Sequence, residues 1–113
     1  MLTFLNQGIW DGTQVIPATW VADSTQVDTS IDYDSYYYED FIFADGRGYY
    51  KYMWWGMQRD EQQYDFSAIG NKGQFIYISP NKNLLIMRFG EDYGEYGGAQ
   101  GWVKLFYNFA SER

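Results

Sequence analysis

Residues 66–79 read FSAIGNKGQFIYIS, and PNKNLLIMRFG follows. Gly70 and Gly73 form a short turn directly ahead of two segments of high β-propensity. A glycine in such a place lets the main chain approach another group with no Cβ in between. The same stretch holds Ser79-Pro80-Asn81-Lys82, which satisfies S-x-x-K, a serine nucleophile with a lysine three residues on. That pair does chemistry when it begins a helix, because one helical turn carries the amine beside the hydroxyl. Here the four residues close a hairpin between two predicted strands, so the lysine side chain is expected in solvent and the match is set aside. A third group, Asp32, Asp34, Glu39 and Asp40, could hold a hard cation weakly. It lacks the spacing and the terminal Glu of a calcium loop, so it reads as a solvated charge run and no metal site is assigned.

The composition removes most other chemistries. The 113 residues include no histidine and no cysteine, which excludes Ser-His-Asp and Cys-His constellations, thiolate chemistry and disulfides. Nothing singles out a pair of carboxylates for glycoside hydrolysis. No cofactor is implied. The net charge of −7 argues against sequence-independent binding to nucleic acid and against docking on an anionic membrane. No apolar run reaches the length of a membrane span. MLTFLNQGIWDG lacks the basic region and apolar core of a signal peptide, and the compartment stays open.

The elements that must position the turn are those of one α+β domain over residues 1–113. Met1 to Gln7 reads as the last turns of a helix stopped by Gly8. Leu2, Phe4 and Leu5 come with no capping residue before them, so this helix is expected to belong to a longer polypeptide. Asp11-Gly12 is a turn signal, and Ile16-Pro17 opens a short helix with Pro17 at its first position and Trp20 and Val21 on its apolar side. Residues 23–48 read as a long irregular loop, acidic and rich in tyrosine. YYKYMWWGM (49–57), DFSAIG (65–70), QFIYIS (74–79) and NLLIMRF (83–89) read as strands. Alternation in the third puts Phe75 and Tyr77 on one face and Ile76 and Ile78 on the other. The continuous apolar run from Leu84 to Met87 fits a central strand. After a glycine-rich loop, a terminal helix presents Trp102, Leu105, Phe106 and Phe109 as its apolar stripe. The expectation is an antiparallel sheet of about four strands flanked by helices, these lying against one face.

Taken in order, these pieces resemble the C-terminal part of the serine β-lactamase and penicillin-binding-protein superfamily, most of all the class C-like esterases and the 6-aminohexanoate-dimer hydrolase group. FLNQGIWDGTQVIPATWVADST resembles that family's G-x-x-W/Q-V-I-P-x-x-W-V segment, and YYKYMWW its Y-x-Y-x-W-W strand. FSAIGNKGQFIYISPNKNLLIMRFG resembles its F-x-A-x-G-x-x-G-Q-x-I-x-V-x-P-x-x-x-L-V-I-V pattern, the most specific of the three. The similarity covers nearly the whole chain and is weakest through residues 26–47. It implies the C-terminal portion of a β-lactamase-like fold.

The resemblance also implies roles. The family's K-T-G-like triad is matched in its degenerate A-x-G form by Ala68-Ile69-Gly70, which makes the Asn71 backbone N–H the candidate oxyanion donor and Gly70 its companion. Tyr52, Trp54, Lys72 and Gln74 are the candidate substrate-binding residues, with Tyr49 and Trp55 as further pocket wall. Gln74 matches the family's G-Q and reads also as a structural hydrogen-bonder. The family's nucleophilic S-x-x-K helix and its Y-x-N base have no counterpart in these residues. Loss of the nucleophile costs on the order of 10⁶ in turnover, so the chain by itself is expected to be inert. Its partners would be a small-molecule ester or amide and the missing N-terminal part of the same domain. An unpaired sheet edge could also join two copies. Relatives are often periplasmic or secreted. The alternative reading is a non-catalytic binding module, whose Tyr33–Tyr38 cluster and tryptophans stack on carbohydrate or another flat ligand.

Overall fold

The computed structural model describes residues 2–28, 30 and 48–113. In chain order these form α1 (Leu2–Leu5), β1 (Ile9–Trp10), β2 (Thr13–Gln14), α2 (Ala18–Thr25), β3 (Gly48–Lys51), β4 (Trp54–Gln58), β5 (Tyr64–Gly70), β6 (Gln74–Ser79), β7 (Leu84–Arg88) and α3 (Gly98–Ser111). Strands β3 to β7 make a five-stranded antiparallel sheet in sequence order, each joined to the next by a short turn, while β1 and β2 form a small ribbon. The fold is therefore α+β, as the sequence predicts. The Tyr33–Tyr38 cluster and the acidic run around it lie outside the described residues.

The extra strand comes from residues 49–57, which read as one strand and are in fact a hairpin. Tyr52 (φ 47°) and Met53 (φ 74°) are both left-handed and close a two-residue turn between Lys51 and Trp54. Such a turn normally announces itself with Asn-Gly or Asp-Gly, as Asp11-Gly12 does between β1 and β2. Two non-glycine residues in left-handed geometry are costly, and cross-strand packing must offset the cost. Tyr50 and Trp55, directly opposite each other, bring their rings to 4.8 Å on one face. On the other, the Tyr49 ring lies over Gly56, its cross-strand partner.

That second contact is exacting. A Cβ at Gly56 would stand 2.0 Å from the Tyr49 ring, and Tyr49 is fully buried with its hydroxyl donating to the Thr25 carbonyl at 2.6 Å. Gly56→Ala must expel the ring and break that bond. The expected loss is about 2–3 kcal/mol, the upper range for overpacking, measured as a drop in urea midpoint at unchanged m-value.

Alternation along the strands divides the core in two. Phe75 and Tyr77 join Met57 under Val103, Phe106, Tyr107 and Ala110 of α3. Ile78 joins Trp54 and Phe66 on the opposite face, with Phe4 and Leu5 of α1 packed against them. The helices thus cover both faces rather than one. Helix α2 serves the second face: Val21 is buried, and Thr25 meets the Tyr64 hydroxyl at 3.2 Å. Trp20, expected on that helix's apolar side, is exposed and packs its ring against Tyr52 at 5.4 Å.

Two further expectations are corrected. Strand β7 is an edge strand and not a central one. Its apolar run is explained by its two faces: Leu84 and Ile86 pack toward α3, and Leu85 packs toward α1. A strand covered on both faces reads as continuously apolar whether or not both its edges are paired. In α3 the buried stripe is Val103, Phe106, Tyr107 and Ala110, leaving Leu105 42% and Phe109 39% exposed. This stripe packs on Met57, Phe75 and Tyr77 of the sheet, and Arg59 stacks on the Tyr107 ring at 4.0 Å.

Candidate functional site

The ladder between β5 and β6 ends at the pair Gly70↔Gln74, and Asn71, Lys72 and Gly73 form the turn beyond it. Lys72 (φ 63°) and Gly73 (φ 83°) are left-handed. Asn71 and Lys72 are exposed, whereas Gly73 is buried. Among the described residues no turn or loop hydrogen bond between backbone groups engages the Asn71 N–H.

The turn is held from behind. Arg88 donates to the Gly73 carbonyl at 2.5 Å and lays its guanidinium over Trp102 of α3, 4.2 Å from the ring centre. A Cβ at Gly73 would come within 2.1 Å of that guanidinium and 2.6 Å of the Asp92 carbonyl oxygen, so position 73 needs glycine for space as well as for φ. Gln74 adds a clamp. Its Oε1 accepts from the Gly90 N–H at 3.1 Å, and its Nε2 donates to the Gly90 carbonyl. These contacts hold the C-terminal side of the loop, and the Gly70↔Gln74 ladder pair closes its base.

Beside the turn lies a shallow depression of about 230 Å³, bordered by Ala68, Gly70, Gln74, Ile76 and Phe89 among others. The pairs Ala68↔Ile76 and Gly70↔Gln74 place those four residues on one face of the sheet. The structure thus brings Gly70 and Gln74 together next to the Asn71 amide. A Cβ at Gly70 would sit 3.1 Å from the Gln74 Cβ, so this glycine also relieves a tight cross-strand contact. Gln74 spends both ends of its amide on Gly90, the structural role. Lys72 points from the turn tip into solvent-exposed space. Tyr52 occupies the β3–β4 turn and Trp54 the core against Phe66 and Phe4, and neither borders the depression.

The S-x-x-K match is inert. Ser79 is fully buried, donates its hydroxyl to Asp65 at 2.8 Å and precedes a single 3-10 turn, Pro80–Lys82, instead of opening an α-helix.

That hydrogen bond belongs to a polar cluster the sequence reading missed. Asp65, with no exposed surface, accepts from Arg59 through Nε at 2.8 Å and a terminal nitrogen at 2.6 Å, and from the Tyr77 hydroxyl. Arg59 reaches on to Ser111 at 2.7 Å and to the Tyr107 carbonyl at 3.1 Å, tying the end of α3 to the sheet. Burial, reinforced by the Asp65 charge, drives the Tyr77 phenol far above the usual tyrosine range. For Arg59 burial works against the charge, and the Asp65 carboxylate more than offsets it, holding the guanidinium above its ordinary value. The available signal was parity: Asp65, Tyr77 and Ser79 all fall at inward positions of strands read as apolar.

Among the described residues no three His, Cys, Asp or Glu side chains gather as a metal site, and no helix is long and apolar enough to cross a membrane. The chain matches no family model, and comparison with curated proteins and with solved structures yields no match either.

Proposed function

We propose that this chain is the oxyanion-bearing part of a β-lactamase-like serine hydrolase, acting on an ester or amide through an acyl-serine intermediate. The supporting observation is the turn at 71–73: Asn71, an exposed residue, follows directly on Gly70, which with Gln74 borders an open depression, and Arg88 and Gln74 hold the far end of the loop. The resemblance of FSAIGNKGQFIYIS to the family's oxyanion strand supports the same reading. A preorganised donor of this kind stabilises the negative charge that develops on the carbonyl oxygen as the serine attacks, and pays no reorganisation at that moment. The serine, its lysine and the tyrosine base would come from the N-terminal part of the same domain, which also supplies the rest of the substrate pocket.

Two measurements test this. A fluorophosphonate probe is expected to leave the 113-residue chain unlabelled, and stoichiometric labelling at Ser79 would overturn the division of labour. The coding sequence upstream of Met1 is expected to hold, in frame, S-x-x-K followed by Y-x-N; finding neither would remove the hydrolase reading altogether.

The second reading, a carbohydrate-binding surface, rests on the exposed Trp20–Tyr52 pair. Sugar rings stack on flat platforms, and these two rings are tilted 47° to one another, so the pair favours this reading less than the turn favours the first.

A further inference from the structure

We infer that the cleft between α1, α2 and the start of β5 is a binding site for a single uncharged aromatic ring that carries a hydrogen-bond donor, phenol being the simplest case. The inference holds whether or not the turn at 71–73 serves catalysis. The cleft has a volume of about 210 Å³ and is bordered by Phe4 of α1, by Ala18, Val21 and Ala22 of α2, and by Tyr64 and Phe66 of β5, among others. Its origin is legible in α2. Ala18 and Ala22 lie one turn apart on the same side of the helix, and neither side chain is long enough to fill the space. Such a gap forfeits dispersion contacts that a flat ligand restores, and apolar cavities of comparable size take up benzene-sized molecules.

The walls select the kind of molecule. Tyr64 and Phe66 present two rings with centroids 6.0 Å apart, and Phe4 adds a third. Rings favour offset or edge contacts with another ring. No residue bordering the cleft is charged, so an ion would lose its water without gaining a partner. The volume lies below the range of pockets for drug-sized ligands, which limits the occupant to about one ring.

Tyr64 fixes the character of the polar group. Thr25 has one hydroxyl proton to give and donates it to the Val21 carbonyl at 2.6 Å. In its 3.2 Å contact with Tyr64 the phenol must therefore be the donor, which leaves the Tyr64 oxygen as an acceptor. Gln7 and Gln26, the other polar residues bordering the cleft, are both exposed. A hydroxyl or N–H on the ligand complements the Tyr64 oxygen, whereas a carboxylate sets one acceptor against another.

Titration of the isotope-labelled 113-residue chain with phenol, toluene and benzoate, followed by amide NMR shifts, reads the result. Phenol is expected to bind saturably, with a Kd on the order of 1 mM, and to shift the amides of Val21, Tyr64 and Phe66. Toluene is expected to move the same amides with an affinity about two- to tenfold weaker, the worth of one net hydrogen bond, and benzoate to leave them unmoved. Tyr64→Phe should bring phenol down to the affinity of toluene and leave toluene unchanged. Ala22→Leu, which fills the cleft, should abolish binding of both while the chain stays folded by circular dichroism. Should that variant fail to fold, the Tyr64→Phe comparison decides. The proposal is overturned by phenol that does not saturate or that shifts other amides, by benzoate equalling phenol, and by phenol binding that survives Ala22→Leu or is unaltered in Tyr64→Phe.

Discussion

Arg59→Met is expected to remove about 3–5 kcal/mol of folding stability, the cost of stranding a buried charge by deleting its partner. Methionine fills much the same space, so the change removes the charge and its hydrogen bonds with little loss of packing. The Asp65 carboxylate, which has no exposed surface, would keep the Tyr77 and Ser79 hydroxyls but lose both guanidinium bonds. Ser111 and the Tyr107 carbonyl lose their link to the sheet at the same time. Against a typical total of about 5–15 kcal/mol, such a loss leaves the domain marginal. The check is urea unfolding of the single variant beside Arg59→Met/Asp65→Leu. With both charges gone the double variant should recover much of the loss, because replacing a whole buried pair by apolar groups is close to neutral. A single variant within about 1 kcal/mol of wild type, the worth of an exposed pair, would show that water enters this corner and that the cluster does not anchor α3.

The second large effect concerns turnover. On the proposed function, in a polypeptide that adds the serine, lysine and tyrosine to this chain, Asn71→Pro is expected to lower kcat by on the order of 10²–10³ with little change in KM, the usual result of deleting one oxyanion donor. Proline removes the N–H and nothing else that the proposal needs. Position 71 follows an extended residue, as proline prefers, and is not among the left-handed positions of this turn. Asn71→Ala, which keeps the N–H, is the control and should stay near wild type. If alanine and proline impair turnover equally, the side chain rather than the amide carries the effect, and the oxyanion assignment is lost.

Much of the fold is legible in the residues because local and tertiary preferences agree. QFIYIS alternates cleanly, and Phe75 and Tyr77 lie toward α3 while Ile76 and Ile78 lie toward α1, as the alternation predicts. Asp11-Gly12 marked its turn because aspartate and glycine tolerate left-handed geometry. Tyr52-Met53 could not be read in the same way. Nothing in that dipeptide favours a turn, and the geometry is imposed by Tyr49, Tyr50, Trp55 and Gly56 packing across it. The stripe of α3 was placed toward Leu105 and Phe109 because periodicity along a helix does not show which of its apolar residues the sheet will cover. For the site, the glycine spacing located the turn correctly. What stayed hidden was its support: Arg88 was not singled out, and Gln74, read both as a substrate contact and as a structural hydrogen-bonder, gave no sign that its partner would be Gly90.

Arg88 has one more consequence. A single planar group touches the carbonyl of residue 73 on one side and the indole of Trp102 on the other, so the turn and the start of the terminal helix share a rivet. Neither can shift by much without the other giving up either a hydrogen bond or a stacking contact. Whatever displaces the helix's first turns is therefore felt at the carbonyl of residue 73, some thirty positions earlier in the chain.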